Sequence, residues 1–134
     1  MKLDSFFDES ETTDGVTVRV AVTFLEDQSD AQENYWLWSY HIRIENHRDD
    51  PVQLLTRHWK IVDGRDEISH VDGDGVVGEQ PVIMPGGSHD YVSACPLPTP
   101  DGMMEGKYRF IQTDGGTFLV DIPPFRLTAP AITR

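Results

Sequence analysis

The chain has a single cysteine, Cys95, so it can form no intrachain disulfide and no cysteine-rich metal site. A reducing, cytoplasmic setting is the expectation. No apolar run approaches the length that crosses a bilayer as a helix, and the opening residues MKLDSFFDESETTDG lack the apolar centre of a signal peptide, so membrane insertion is not expected. Positive charge is scarce: 11 Lys and Arg stand against 23 Asp and Glu, a net charge of -12. A negative field of that size repels phosphate backbones, which argues against a nucleic-acid partner. Missing too is any segment with apolar residues at helical spacing.

What is present is alternation. A chain of 134 residues fits one domain with one core. Residues 1–14 are polar and acidic apart from Phe6 and Phe7, and read as a mobile tail. The domain is placed over residues 15–128, with a short C-terminal tail over 129–134. Val16, Val18, Val20, Val22 and Phe24 alternate with Thr17, Arg19, Ala21 and Thr23, the period of two that sends one face into a core. After an acidic loop, Trp36, Trp38, Tyr40, Ile42 and Ile44 repeat the pattern. Over Val52 to Asp63 the apolar phase slips from Val52 and Leu54 to Leu55, Trp59 and Ile61, the mark of a bulge or a change of sheet. Short strands are predicted at Ile68 to Val71, Gln80 to Met84, His89 to Ala94, Lys107 to Thr113 and Thr117 to Ile122. Pro81, Pro96, Pro98, Pro100, Pro123 and Pro124 belong at strand ends or edges, because proline cannot donate to a ladder. The pattern predicts an all-β antiparallel sandwich, with a barrel as the rival architecture.

Several motifs invite chemistry. Gly73, Gly75 and Gly78 spell G-x-G-x-x-G, but a dinucleotide site needs a helix directly after the last glycine, and Glu79-Gln80-Pro81-Val82 leads toward a strand instead. The acidic residues Asp72, Asp74 and Glu79 would also repel phosphate. As a calcium loop starting at Asp72, the same stretch puts Val76, Val77 and Ile83 where ligands, the turn glycine and the glutamate belong. His41, His47, His58, His70 and His89 lack zinc-ligand spacing, so no metal site is assigned. Arg57-His58-Trp59 is the densest polar and aromatic cluster. In a strand Arg57 and Trp59 share one face while His58 takes the other. Cys95, followed by Pro96, shows no signature of an activated thiol and reads as a small core residue.

Much of the chain resembles the ApaG family. The resemblance is carried by Val52-Gln53-Leu54-Leu55-Thr56-Arg57-His58-Trp59, by Gly73 through Pro81, by Pro85-Gly86, by Leu97 through Gly106, by Tyr108, and by Ile122-Pro123-Pro124-Phe125-Arg126-Leu127. It spans about Val16 to Leu127, with Ala94 standing where the family usually has glycine. The resemblance implies an immunoglobulin-like or fibronectin type III-like sandwich, in line with the periodicity. It also implies a name linked to cobalt and magnesium efflux, no accepted catalytic activity, and a role as a protein-interaction module.

The sequence therefore leads to a non-enzymatic recognition domain without a cofactor. Its partner is an unidentified protein, met at a surface that includes Arg57, His58, Gly73, Gly75, Gly78, Glu79 and Gln80. The rival reading is a small-molecule module that binds a nucleotide or polyphosphate at the glycine loop. Edge strands leave a homodimer open, though no residue specifies one.

Overall fold

Burial follows the alternation. In the computed structural model, which describes residues 6–130, Val16, Val18 and Val20 are wholly buried, as are Trp38, Ile42 and Ile44 on the next strand. Nine strands result: β1 (Glu9–Thr13), β2 (Val16–Phe24), β3 (Trp36–Asn46), β4 (Val52–Asp63), β5 (Ile68–Asp74), β6 (Val82–Ile83), β7 (Ser88–Leu97), β8 (Asp101–Gln112) and β9 (Thr117–Thr128). One sheet has the order β1-β2-β3-β7; the other runs β5-β4-β8-β9, with the short β6 also on β4. Every pairing is antiparallel. The two layers form an immunoglobulin or fibronectin type III-like sandwich, and no α-helix occurs among the described residues.

Between the layers Trp38, Tyr108, Phe110, Leu54, Met104 and Leu127 are among the largest side chains fully withdrawn from water. Each such aromatic or aliphatic group contributes about 1.5–3 kcal/mol on burial. Tyr40, Trp59 and Phe125 meet as a triangle of rings with centroids 5.5, 5.8 and 5.9 Å apart. Cys95 is buried in the same core, and burial pushes its thiol up to about 11.

Two irregularities set the shape. β4 slips against β8 between Leu54 and Thr56, the bulge announced by the change of apolar phase around Leu55. β8 slips against β9 after Met104, where Pro123 and Pro124 stand across from Glu105. β9 is an edge strand, so the two missing N–H donors break only one ladder.

The reading of residues 1–14 as a mobile tail needs correction over Glu9–Thr13, which form β1 along Val16–Val20 of β2. Residues 1–5 and 131–134 lie outside the described residues. Side-chain composition hides this strand, because edge pairing is made by the backbone. It is fastened by a Thr12–Thr17 hydroxyl contact of 2.7 Å and by the Val22 N–H donating to the Asp8 carboxylate at 2.9 Å. β1 also reaches the other sheet, where the Asp121 N–H donates to Thr13 Oγ1 at 3.2 Å. The end of the domain extends one residue further than expected, with the Ala129 N–H donating to the Pro100 carbonyl at 2.8 Å.

Candidate functional site

The bulge at Leu55 sets which way the next residues face. Beyond it Arg57 and Trp59 turn inward toward β3 and β7, and His58 turns outward, as strand alternation requires. β5 returns alongside, pairing Arg57 with Gly73 and His58 with Asp72. Val76 and Glu79 then exchange backbone hydrogen bonds of 2.8 and 3.0 Å around Val77 and Gly78. Both central residues have positive φ, 48° and 77°, which makes this a two-residue type I′ turn. Gly75 is also left-handed, and a β-carbon there would collide with the Glu79 carbonyl oxygen. The glycines thus build a hairpin, and the chain proceeds through Pro81 into β6. No helix follows Gly78, so the anion cradle of a dinucleotide motif is absent here.

Between this hairpin and β7 lies a recess of about 380 Å³. Trp59 and Tyr40 form its floor, Tyr91, Val92 and Ser93 one wall, and Asp74, Val76, Val77 and Gly78 the rim. The Arg57 guanidinium sits in the rim, Nη1 donating to the carbonyl oxygens of Asp74 and Gly75 at 2.9 Å each. Among the described residues no carboxylate lies within ion-pair distance of it. Its planar face rests on Gly73, where the space for a β-carbon is taken up by the guanidinium itself.

Three phenols lie within the electrostatic reach of Arg57. Tyr91 and Tyr108 share a short hydroxyl hydrogen bond, and Tyr40 stands directly opposite Ser93 in the β3–β7 ladder. Burial raises the pKa of all three, more than the nearby guanidinium lowers it. At neutral pH the recess therefore offers the Tyr40 and Tyr91 hydroxyl dipoles and the Arg57 charge, with the Asp74 carboxylate at its rim. The sequence reading put Tyr40 on the inward face of its strand but joined neither it nor Tyr108 to Arg57. The available signal was a tyrosine at inward strand positions where an aliphatic residue would pack without needing a partner for its hydroxyl.

His58 does not take part. Its Nδ1 pairs with the Asp72 carboxylate at 2.8 Å and its Nε2 with Thr56 Oγ1 at 3.0 Å, on the outer face. There it lines a shallow groove of about 430 Å³ together with His70, Lys60, Lys107 and Asp121. The charges in that groove compensate one another across strands, Lys60 with Glu105 at 3.6 Å and Lys107 with Asp121 at 3.7 Å. Gln80 serves the hairpin, its amide donating to the Leu55 carbonyl at 3.0 Å, while Glu79 reaches toward His89 at 3.8 Å. Of the residues singled out in the sequence, then, Arg57 and Gly78 line the recess, and Gly73 lies against the Arg57 guanidinium. Gly75, Glu79 and Gln80 shape the loop, and His58 faces away. No group of three or more His, Cys, Asp or Glu among the described residues is placed to hold a metal ion.

Fold and recess together define an antiparallel β-sandwich domain of the immunoglobulin or fibronectin type III kind, with a polar cleft between an edge strand and a glycine hairpin. The chain belongs to the ApaG family, whose ApaG domain model matches residues 26–112. Protein ApaG of Methylobacterium sp. (strain 4-46) is 47% identical over 122 residues, covering 91% of this chain and 94% of its own. Protein ApaG of Rhodospirillum centenum is 46% identical over 121 residues, covering 90% and 93%. The Bordetella pertussis crystal structure that carries the name ApaA superposes with a TM-score of 0.83 at 40% identity, over 87% of this chain and 95% of its own.

Proposed function

We propose that this ApaG-family domain is a non-enzymatic cytoplasmic recognition module, and that the recess around Arg57 receives an acidic side chain of a protein partner. The observation that carries this reading is the Arg57 guanidinium, aligned by two carbonyls and lacking a carboxylate of its own. Val77 and Val92 flank it, 64% and 59% exposed, an apolar collar that would exclude water from a seated ion pair. Catalysis finds less support. The Tyr40, Tyr91 and Tyr108 hydroxyls and the Cys95 thiol are held in their protonated forms by burial, so none is a ready base or nucleophile. On this reading the family's link to cobalt and magnesium efflux runs through the partner.

Phosphate chemistry at the same guanidinium is opposed by Asp74 on the rim and Glu79 at the base of the hairpin, which favours a single carboxylate over a polyphosphate. The test is affinity capture from cell extract followed by quantitative proteomics on three versions of the chain. Arg57→Ala should lose a protein that the native chain retains, a deficit of about 2 kcal/mol or more for a central arginine. His58→Ala, on the opposite face, should keep it. Equal recovery by native chain and Arg57→Ala would refute the reading. A saturating calorimetric response to nucleoside polyphosphates would replace it with the small-molecule alternative.

A further inference from the structure

Apart from the two-residue β6, four strands end the two sheets, and three of them are blunted against pairing. β9 carries Pro123 and Pro124 at its bulge, β7 carries Pro96, and β1 is short, holds two glutamates and lies along β9. β5 shares only the acidic charge, through Asp72 and Asp74, and has no proline and no further strand laid along it. It runs Ile68–Asp74 without proline, lysine or bulge, and Ile68 and Val71 are 55% and 41% exposed. The Gly75 N–H donates to the Leu55 carbonyl and the Asp63 N–H to the Glu67 carbonyl. Residues 67 and 75 thus turn their backbone groups toward β4, and by strand alternation so do 69, 71 and 73. The N–H and C=O groups of Ile68, His70, Asp72 and Asp74 therefore face the open edge.

We infer that two copies of this chain join through β5 as a symmetric antiparallel pair centred on Val71. That register sets His70 of each copy opposite Asp72 of the other, with hydrogen-bonding backbone groups in phase, and brings the two Val71 side chains together. His70 has no hydrogen-bond or ion-pair partner within its own chain among the described residues, and Asp72 engages His58 through one oxygen only. Charge excludes the neighbouring registers. Centring on Asp72 opposes two Asp72 carboxylates, centring on Gly73 sets Asp72 against Asp74, centring on Ser69 sets Asp72 against Asp66, and centring on His70 sets Asp74 against Asp66. Like charges directly opposite are unfavourable. One strand contact of this length falls short of the roughly 1,200 Å² of a standard stable interface, so the pairing depends on protein concentration.

Sedimentation equilibrium over a wide concentration range tests the pairing on the full chain. The native protein should pass from monomer to dimer, and His70→Glu should stay monomeric. His70→Glu combined with Asp72→Lys should associate again, because the opposed charges are exchanged. Val71→Cys reads the register: Cα atoms about 4.5 Å apart at a non-hydrogen-bonded pair lie within disulfide reach, so mild oxidation should yield a covalent dimer. Ser69→Cys should not cross-link. Circular dichroism on each variant establishes that the exposed substitutions leave the fold intact. A native chain that is monomeric at the highest concentration overturns the inference, as does a dimer indifferent to His70→Glu, or cross-linking at 69 rather than 71.

Discussion

The Arg57 guanidinium occupies the space that a side chain on Gly73 would need, with its terminal atoms 2.8–2.9 Å from the site of the missing β-carbon. The two residues are direct partners across β4 and β5, so the absence of a side chain on one fixes the position of the charge on the other. Gly73 has an ordinary backbone conformation, and its neighbour is the mobile end of a long side chain.

Gly73→Ala should therefore cost little stability, about 1 kcal/mol or less, while pushing Arg57 off the carbonyls of Asp74 and Gly75. Partner capture should fall nearly as far as with Arg57→Ala. A urea titration and the capture experiment, run side by side, check the two halves. A large loss of stability with capture unchanged would show that the contact is only packing.

Val77 is a β-branched residue held at φ 48° on an exposed turn, a conformation that side chains of its type avoid. Val77→Asn installs the Asn-Gly pair that type I′ turns favour and should stabilise the domain by about 1 kcal/mol. Partner binding should weaken in the same variant, since one half of the apolar collar is gone. Thermal melting and capture yield are the readouts. Gly75→Ala should do the reverse in the melt and destabilise strongly, because its β-carbon would meet the Glu79 backbone rather than a side chain.

On the outer side of the other sheet, Arg19 and Arg43 stand directly opposite each other, and the Glu45 carboxylate accepts from both at 3.1 and 2.8 Å. Burial by itself raises the Glu45 carboxyl, but hydrogen bonds from Arg19, Arg43 and His47 outweigh it and pull the pKa down to about 2. A carboxyl lower in the folded than in the unfolded state contributes its full stability above the unfolded value of 4.5 and loses it as pH falls toward about 2. The shift corresponds to stability on the order of 3 kcal/mol. Glu45→Gln should destabilise the protein at pH 7 and flatten the fall in stability between pH 5 and 2. Chemical denaturation at stepped pH measures both.

Tyr108 is fully buried and its hydroxyl pairs with that of Tyr91. Tyr91→Phe strands the inner hydroxyl and should cost about 1–3 kcal/mol. Tyr91→Phe with Tyr108→Phe removes both polar groups and should recover much of that loss. A double-mutant cycle in guanidinium chloride would reveal the coupling, and simple additivity would contradict it.

Strand existence was legible from local pattern. The valines of β2, the aromatic alternation of β3 and the phase slip at Leu55 all match what the chain forms, since period-two burial is a property of each segment alone. β1 was missed because its acidic residues carry no apolar face, and its stability comes from ladder bonds to β2. The opposed faces of Arg57 and His58 followed from alternation, yet grouping both with the glycine loop as one surface did not survive the structure. One lies in the recess and the other in the outer groove.

The sequence by itself determined the all-β class, the inward faces of the long strands and the absence of a helix after Gly78, because each depends on residues within a few positions of one another. Only the tertiary structure decided that Tyr40, Tyr91 and Tyr108 would surround Arg57. It alone also left β5 as the bare edge of its sheet. Both outcomes depend on which strands neighbour which, and that order is set by how two layers close over a shared core rather than by any one stretch of chain.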